Sequence, residues 1–357
     1  MKLGLLTTYS FNYGSYHQAI ALQKQLQDMG HECELINESF KKYKWFNLFL
    51  MYTMHPILPK FLKEKISDNM PQYKSFLRIQ NDLKDVKISA VSARNMKKLS
   101  KSYDCIVLGS DELWSANSSS IRYVPEYFGY KIECPHISYA TAAVQFDGSN
   151  SELCNKVRDG LLSFEQIAVR DIVSQKIINK ITNRKIGIVL DPTLLNPFFA
   201  TDEECVENYI LLYGQHYSEE QKDYIQNMAK NNKLEIVCVG WPHEWSDRFM
   251  DVETAAELQK MFAKATFCFP STFHGTIFSI VNKKQFFAML NPLRGKKIEM
   301  LLNELNLESR IFDENAKVNN DMIDYCVVQK KLDVLRQKSL IYLKNALEDI
   351  SLKIGDN

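Results

Sequence analysis

The sequence predicts an α/β fold of two Rossmann-like halves whose strand ends face each other across a cleft. Short apolar runs alternate with amphipathic helical runs along most of the chain, as in parallel sheets covered by helices. At 357 residues the chain is long for a single core. The alternation also breaks at Pro197 and starts again after it. The expected division is therefore 1–196 and 197–329. A lysine-rich, helical insertion is expected over about 40–100, and a C-terminal helix at about 330–357 is expected to join the first half.

The elements follow in order. KLGLLTTY (2–9) is an apolar run ending in hydroxyls, the first strand. SYHQAIALQKQLQDMG (15–30) places Ala19, Leu22 and Leu26 on one helical face and stops at Gly30. ECELIN (32–37) is the second strand. DCIVLGS (104–110) and HISYATA (136–142) have the pattern of buried strands. A helix at 151–164, a strand at 166–171, a helix at 171–181 and a strand at 185–191 complete the first half. In the second half, strands are expected at 207–214, 234–240, 265–269 and 285–290. Helices are expected at 218–232, 251–265 and from Gly275 onward.

Composition excludes more than it selects. A net charge of +1 gives no global attraction to nucleic acid. The eight cysteines are scattered, with neither C-x-x-C pairs nor zinc spacing, which suits free thiols in a reducing, cytoplasmic compartment and leaves no metal site to expect. The N-terminus enters a strand directly and lacks the parts of a signal peptide. No apolar run reaches membrane-spanning length. The nearest, 45–62, is interrupted by Pro56 and Pro59. It fits an apolar helical insertion packed on the first half, or a peripheral contact with the inner face of a membrane.

In open α/β sheets ligands bind at the carboxyl ends of the strands, and several stretches there have chemical character. Asn12-Tyr13-Gly14-Ser15 forms a tight strand-to-helix turn suited to a hydroxyl-rich ligand, with His17 one turn in. Neither GxGxxG nor a Walker lysine is present, so no dinucleotide or nucleotide cofactor is expected. Ser110-Asp111-Glu112 follows a strand and offers a base for a sugar hydroxyl, with Trp114 as a stacking surface. Arg170 can grip a carboxylate, and Asp191 can orient it. Ser271, Thr272, His274 and Gly275 lie between a strand and a helix start, where the helix field favours phosphate or carboxylate. Arg294, Lys296 and Lys297 add basic charge downstream. Each stretch also has a bland reading as a cap, turn or core residue.

Taken together and in order, these stretches resemble the polysaccharide pyruvyl transferase family. The matching segments are FNYGSYHQAIALQKQL, VLGSDELW, ISYATAAV, AVRDIVSQ, VLDPTLL and STFHGTIFSIVNK. The resemblance implies a GT-B-like architecture of two Rossmann-like domains. It implies transfer of the enolpyruvyl group of phosphoenolpyruvate onto a sugar of a surface-polysaccharide precursor, giving a pyruvate ketal and phosphate. It implies phosphoenolpyruvate as co-substrate and a glycan or lipid-linked oligosaccharide as acceptor. By the same resemblance His274 meets the donor and acts as acid, while Arg170 and Arg294 anchor it. Donor binding is extended to Ser271, Thr272, Gly275 and Lys297. Asp111 or Glu112 is the expected base. Acceptor binding is expected at Asn12, Tyr13, Gly14, Ser15, His17, Ser110 and Trp114, with Trp241 and Trp245 as further sugar platforms. The chain departs from one branch of the family in having Thr272 where an arginine precedes the motif's last residues. The competing readings are a nucleotide-sugar glycosyltransferase on the same architecture and a degenerate member that only binds glycan.

Overall fold

The computed structural model describes residues 1–9, 13–37, 90–92, 95–116, 123–200, 206–290, 295–313 and 321–355. Among these, one compact unit holds the residues up to Asn196 together with those from Leu335 on, and the other holds Pro197 to Val334.

In the first unit, β1 (Lys2–Thr7), α1 (Tyr13–Asp28) and β2 (Glu32–Asn37) form the opening βαβ. After the undescribed 38–89 come β3 (Ala90–Ser92), the short α2 (Met96–Leu99) and β4 (Cys105–Leu108). Then follow β5 (His136–Thr141), α3 (Ser151–Leu162), β6 (Gln166–Val169), α4 (Ile172–Thr182), β7 (Gly187–Ile188) and α5 (Pro192–Leu195). The sheet order is β3-β2-β1-β4-β5-β6-β7, with every pair parallel. Its central strands are buried along their length, as their unbroken apolar sequences require. Most of the expected insertion, including 45–62, lies outside the described residues. Of the part that is described, α2 is helical as expected, whereas β3 departs from helix: it pairs Ala90 with Leu35 and adds a strand to the sheet edge.

The second unit holds β8 (Tyr209–Tyr213), α6 (Glu219–Asn232), β9 (Glu235–Val239), β10 (Arg248–Met250), α7 (Ala255–Lys264), β11 (Phe267–Pro270), α8 (Phe273–Val281) and α9 (Gly295–Glu304). Its sheet runs β10-β9-β8-β11, again parallel. The 285–290 run forms isolated bridges from Phe286 to Cys268 and from Ala288 to Ile311 rather than a strand. Helices α6 and α7 open with reciprocal capping boxes, Ser218 with Gln221 and Thr254 with Glu257.

At the C-terminus α10 (Tyr325–Gly355) forms. Its first part belongs to the second unit, where the Tyr325 hydroxyl donates to the Lys284 carbonyl at 2.5 Å. Its later part belongs to the first unit. There the Ser339 hydroxyl accepts from Leu190 N at 2.9 Å, and Tyr342 donates to the Ser138 carbonyl at 2.7 Å.

Each sheet contains a point where the strand order reverses, and ligands of open α/β sheets bind outside the strand ends there. In the first unit it lies between β1 and β4, in the second between β8 and β11.

Candidate active site

In the first unit, the turn after β4 is built by backbone demands. Gly109 sits at φ +134°, and a Cβ on it would lie 1.9 Å from the Tyr139 carbonyl oxygen, so only glycine fits. Asp111 sits at φ +85° and bridges Thr141: its carbonyl accepts from Ala142 N at 2.9 Å, and its carboxylate accepts from Glu112 N at 2.8 Å. Both carboxylate residues remain partly accessible at the strand end.

Around this turn, three expected acceptor residues prove to be framework. Ser110 is fully buried; its N–H donates to Gln18 Oε1 at 3.2 Å, and its hydroxyl donates to the same oxygen. Gln18 also donates to the Ser15 and Thr8 carbonyls at 2.9 and 3.1 Å, tying α1 to the ends of β1 and β4. No motif singled out Gln18. His17 is 0 % exposed, with Nδ1 2.5 Å from the Tyr13 carbonyl and its ring edge-on to Tyr16. It is a core histidine. Trp114 is also 0 % exposed; its Nε1 donates to the Tyr127 carbonyl at 2.6 Å, and its ring stacks on Phe128. An indole enclosed in this way has no face to offer a sugar. Tyr13, Gly14 and Ser15 are buried in the first turn of α1. Asn12 lies outside the described residues.

Arg170 ends β6 with its side chain only 6 % exposed, and Nη1 donates to Asp191 Oδ2 at 2.9 Å. The other Asp191 oxygen accepts from Thr193 N at 2.9 Å and its hydroxyl at 2.6 Å. Asp191 thus orients Arg170, while Asp171 caps α4 through Ser174 N at 2.8 Å. Burial works to lower the Arg170 pKa. The charges of Asp191, then Asp111 and more weakly Glu112, outweigh it and raise the pKa. The arginine is therefore the cation around which the first unit's strand-end carboxylates gather.

In the second unit, Thr272 is the N-cap of α8: Oγ1 accepts from Gly275 N at 3.0 Å, and its carbonyl accepts from Thr276 N at 3.0 Å. This fixes His274 in the helix's first turn, half-buried and at the reversal between β8 and β11. Ser271 is buried against Gly214, where a Cβ would come within 1.7 Å of the Ser271 hydroxyl. Gly275 was expected to make room for a ligand. Instead it makes room for the protein: a Cβ there would lie 2.7 Å from the Tyr213 ring and 2.8 Å from Thr272 Oγ1. The neighbouring loop is tied in by His243, whose Nε2 lies 2.8 Å from the Gly214 carbonyl. Sequence reasoning missed Gly214 and His243, because their role depends on contact between separate strand ends. Lys297 lies half-buried in the first turn of α9, and Arg294 falls outside the described residues. Trp245 packs edge-on to Tyr217 at 5.6 Å and leans on the second unit's core. Among the described residues, no group of three or more His, Cys, Asp and Glu is placed to hold a metal ion.

The family model of polysaccharide pyruvyl transferase matches residues 12–292, a span that starts after β1 and includes the reversal between β8 and β11. The chain belongs to that family. A comparison with curated proteins gives no match. Among solved structures, this pyruvyl transferase family member is similar to Glycyrrhiza uralensis UGT73P12 complexed with glycyrrhetinic acid 3-O-monoglucuronide. The TM-score is 0.51 at 8 % identity, covering 100 % of this chain and 97 % of that one. It is also similar to an alpha-glucosyltransferase in complex with UDP and a 13-mer DNA, with a TM-score of 0.50, 10 % identity and coverage of 98 % and 99 %. At such identities these matches show the GT-B-like fold and nothing about substrate. No helix among the described residues is long and apolar enough to cross a membrane.

Proposed function

We propose that the protein transfers the enolpyruvyl group of phosphoenolpyruvate onto a pair of hydroxyls on a surface-polysaccharide precursor, forming a pyruvate ketal and releasing phosphate. The observation that best supports this is the capped first turn of α8, which holds an imidazole beside helix N–H groups at a strand-order reversal. In the reaction C3 of the donor takes a proton, which makes C2 electrophilic. One sugar hydroxyl adds at C2 and gives up its proton. The C2–O bond to phosphate then breaks with its electron pair, and the second hydroxyl adds in its place, its proton balancing the released phosphate. His274 is the proposed acid toward C3, and the first turn of α8 with Ser271 and Thr272 the proposed cradle for the donor's anionic groups. Arg294 and Lys297 are proposed to add positive charge. Asp111 or Glu112 is the proposed base for the sugar hydroxyl. A glycan or lipid-linked acceptor is proposed, with work at the cytoplasmic face of a membrane.

The test is acceptor-dependent phosphate release from phosphoenolpyruvate. His274→Ala is expected to lower the rate about a hundredfold or more, in the range of lost general acid catalysis. Wild-type rates in that variant would remove His274 from the mechanism. The shared fold also supports a second reading, nucleotide-sugar-dependent glycosyl transfer. It predicts thermal stabilisation by a uridine or guanosine diphosphate sugar and none by phosphoenolpyruvate.

A further inference from the structure

We propose that the indole N–H of Trp241 is a donor to an anionic oxygen of the donor substrate, a phosphate or carboxylate oxygen of phosphoenolpyruvate. The assignment rests on the pyruvyl-transfer reading above. Trp241 directly follows β9 and Gly240, whose φ of +80° turns the chain at the strand end. Its ring stands edge-on to Tyr213 at 5.3 Å and 73°. Tyr213 in turn fills the space that the missing Cβ of Gly275 leaves beside His274. Two residues on, His243 reaches the Gly214 carbonyl, and Gly214 packs on Ser271. Trp241 is therefore built into the same cluster of strand ends as the proposed donor cradle.

Within that cluster its nitrogen stands apart. Indole Nε1–H can only donate, and in Trp241 it is buried with no acceptor among the described residues. Buried donors are normally satisfied, and one left without a partner is costly. The same chain satisfies a tryptophan of purely structural use: Trp114 donates to Tyr127. The acceptor that Trp241 lacks is therefore expected from a ligand. An anionic oxygen is the fitting class, because the adjoining helix start also favours negative charge and hydrogen bonds to ionised acceptors are the strong ones. Thr272 brings no charge to this position, which gives neighbouring N–H donors a share in recognising the anion beside the proposed Arg294 and Lys297.

Trp241→Phe keeps a ring against Tyr213 and removes the N–H. Calorimetric titration is expected to show phosphoenolpyruvate binding weakened about ten- to a hundredfold, while the ligand-free melting temperature does not fall. Undiminished binding by Trp241→Phe, with the wild type binding normally, would sink this assignment alone. Failure of the wild type to bind phosphoenolpyruvate would sink the pyruvyl-transfer reading, and this assignment with it. A measurement on the unaltered chain covers a variant that does not fold. With four tryptophans, ¹⁵N-tryptophan labelling gives few indole N–H signals, and single substitutions at the other three assign that of Trp241. It is expected to move downfield when phosphoenolpyruvate is added; a signal that stays in place overturns the assignment. Parallel additions of inorganic phosphate and of pyruvate show which anionic group the indole meets.

Discussion

The side chains that looked most alike in the sequence have opposite fates. His17 and His274 both lie near the starts of helices that follow strands, and Trp114 and Trp241 both follow strand ends. Burial separates them: His17 and Trp114 are enclosed and bonded to backbone carbonyls, whereas His274 stays half-buried and Trp241 keeps an unanswered donor. Trp114 packs among Phe128 and Phe164, so Trp114→Ala is expected to cost about 3–5 kcal/mol of stability, as for other large aromatic truncations in cores. Urea denaturation checks it. A loss under about 1 kcal/mol would place the ring outside the core. The residue types at the site were legible in the sequence, but the direction each side chain takes was not. That direction depends on partners distant in sequence, such as Tyr127 for Trp114, Gln18 for Ser110 and Asp191 for Arg170.

Elements with their own local signals were legible; those that exist only through a neighbour were not. ECELIN is a strand from end to end, and α6 and α7 start at the Ser218 and Thr254 boxes. The short β3 and β10 have no pattern of their own and form by pairing with β2 and β9. The 185–191 run shrinks to Gly187–Ile188, because Asp191 turns away as the cap of α5 and as Arg170's partner. The start of α8 combines both kinds of signal. Its cap is local, but what it holds in place is the cluster of strand ends. Thr272→Ala should destabilise the protein by about 1 kcal/mol through the lost cap and lower activity further by loosening the first turn that carries His274. Thr272→Ser, which keeps the hydroxyl acceptor, should restore both. If Thr272→Ala keeps full activity at the expected stability loss, the cap does not position the site.

For the molecule as a whole, acid sensitivity is where the buried histidines of both units should show themselves. His136 in the first unit lies between the Cys134 carbonyl at 2.9 Å and the Ser163 hydroxyl at 2.8 Å. Burial lowers its pKa below the ordinary 6.5, although the Cys134 carbonyl and Glu165 pull the other way. His243 in the second unit is lowered too, by burial first and then by Lys222 and His216, against the Gly214 carbonyl. With both folded-state pKa values below 6.5, the unfolded chain binds more protons as pH drops beneath that value. Stability is therefore fully present above about pH 6.5 and is lost as pH falls toward the lowered folded values. For a single buried site such as His136 the slope has a ceiling of about 1.4 kcal/mol per pH unit. A net charge of only +1 gives no large global repulsion to mask this near neutrality. Melting temperatures measured from pH 8 to pH 5 should hold steady and then decline below about 6.5, and His136→Asn, which cannot take up the proton, should flatten part of that decline. If His136→Asn follows the wild-type curve throughout, His136 is not a source of the acid sensitivity.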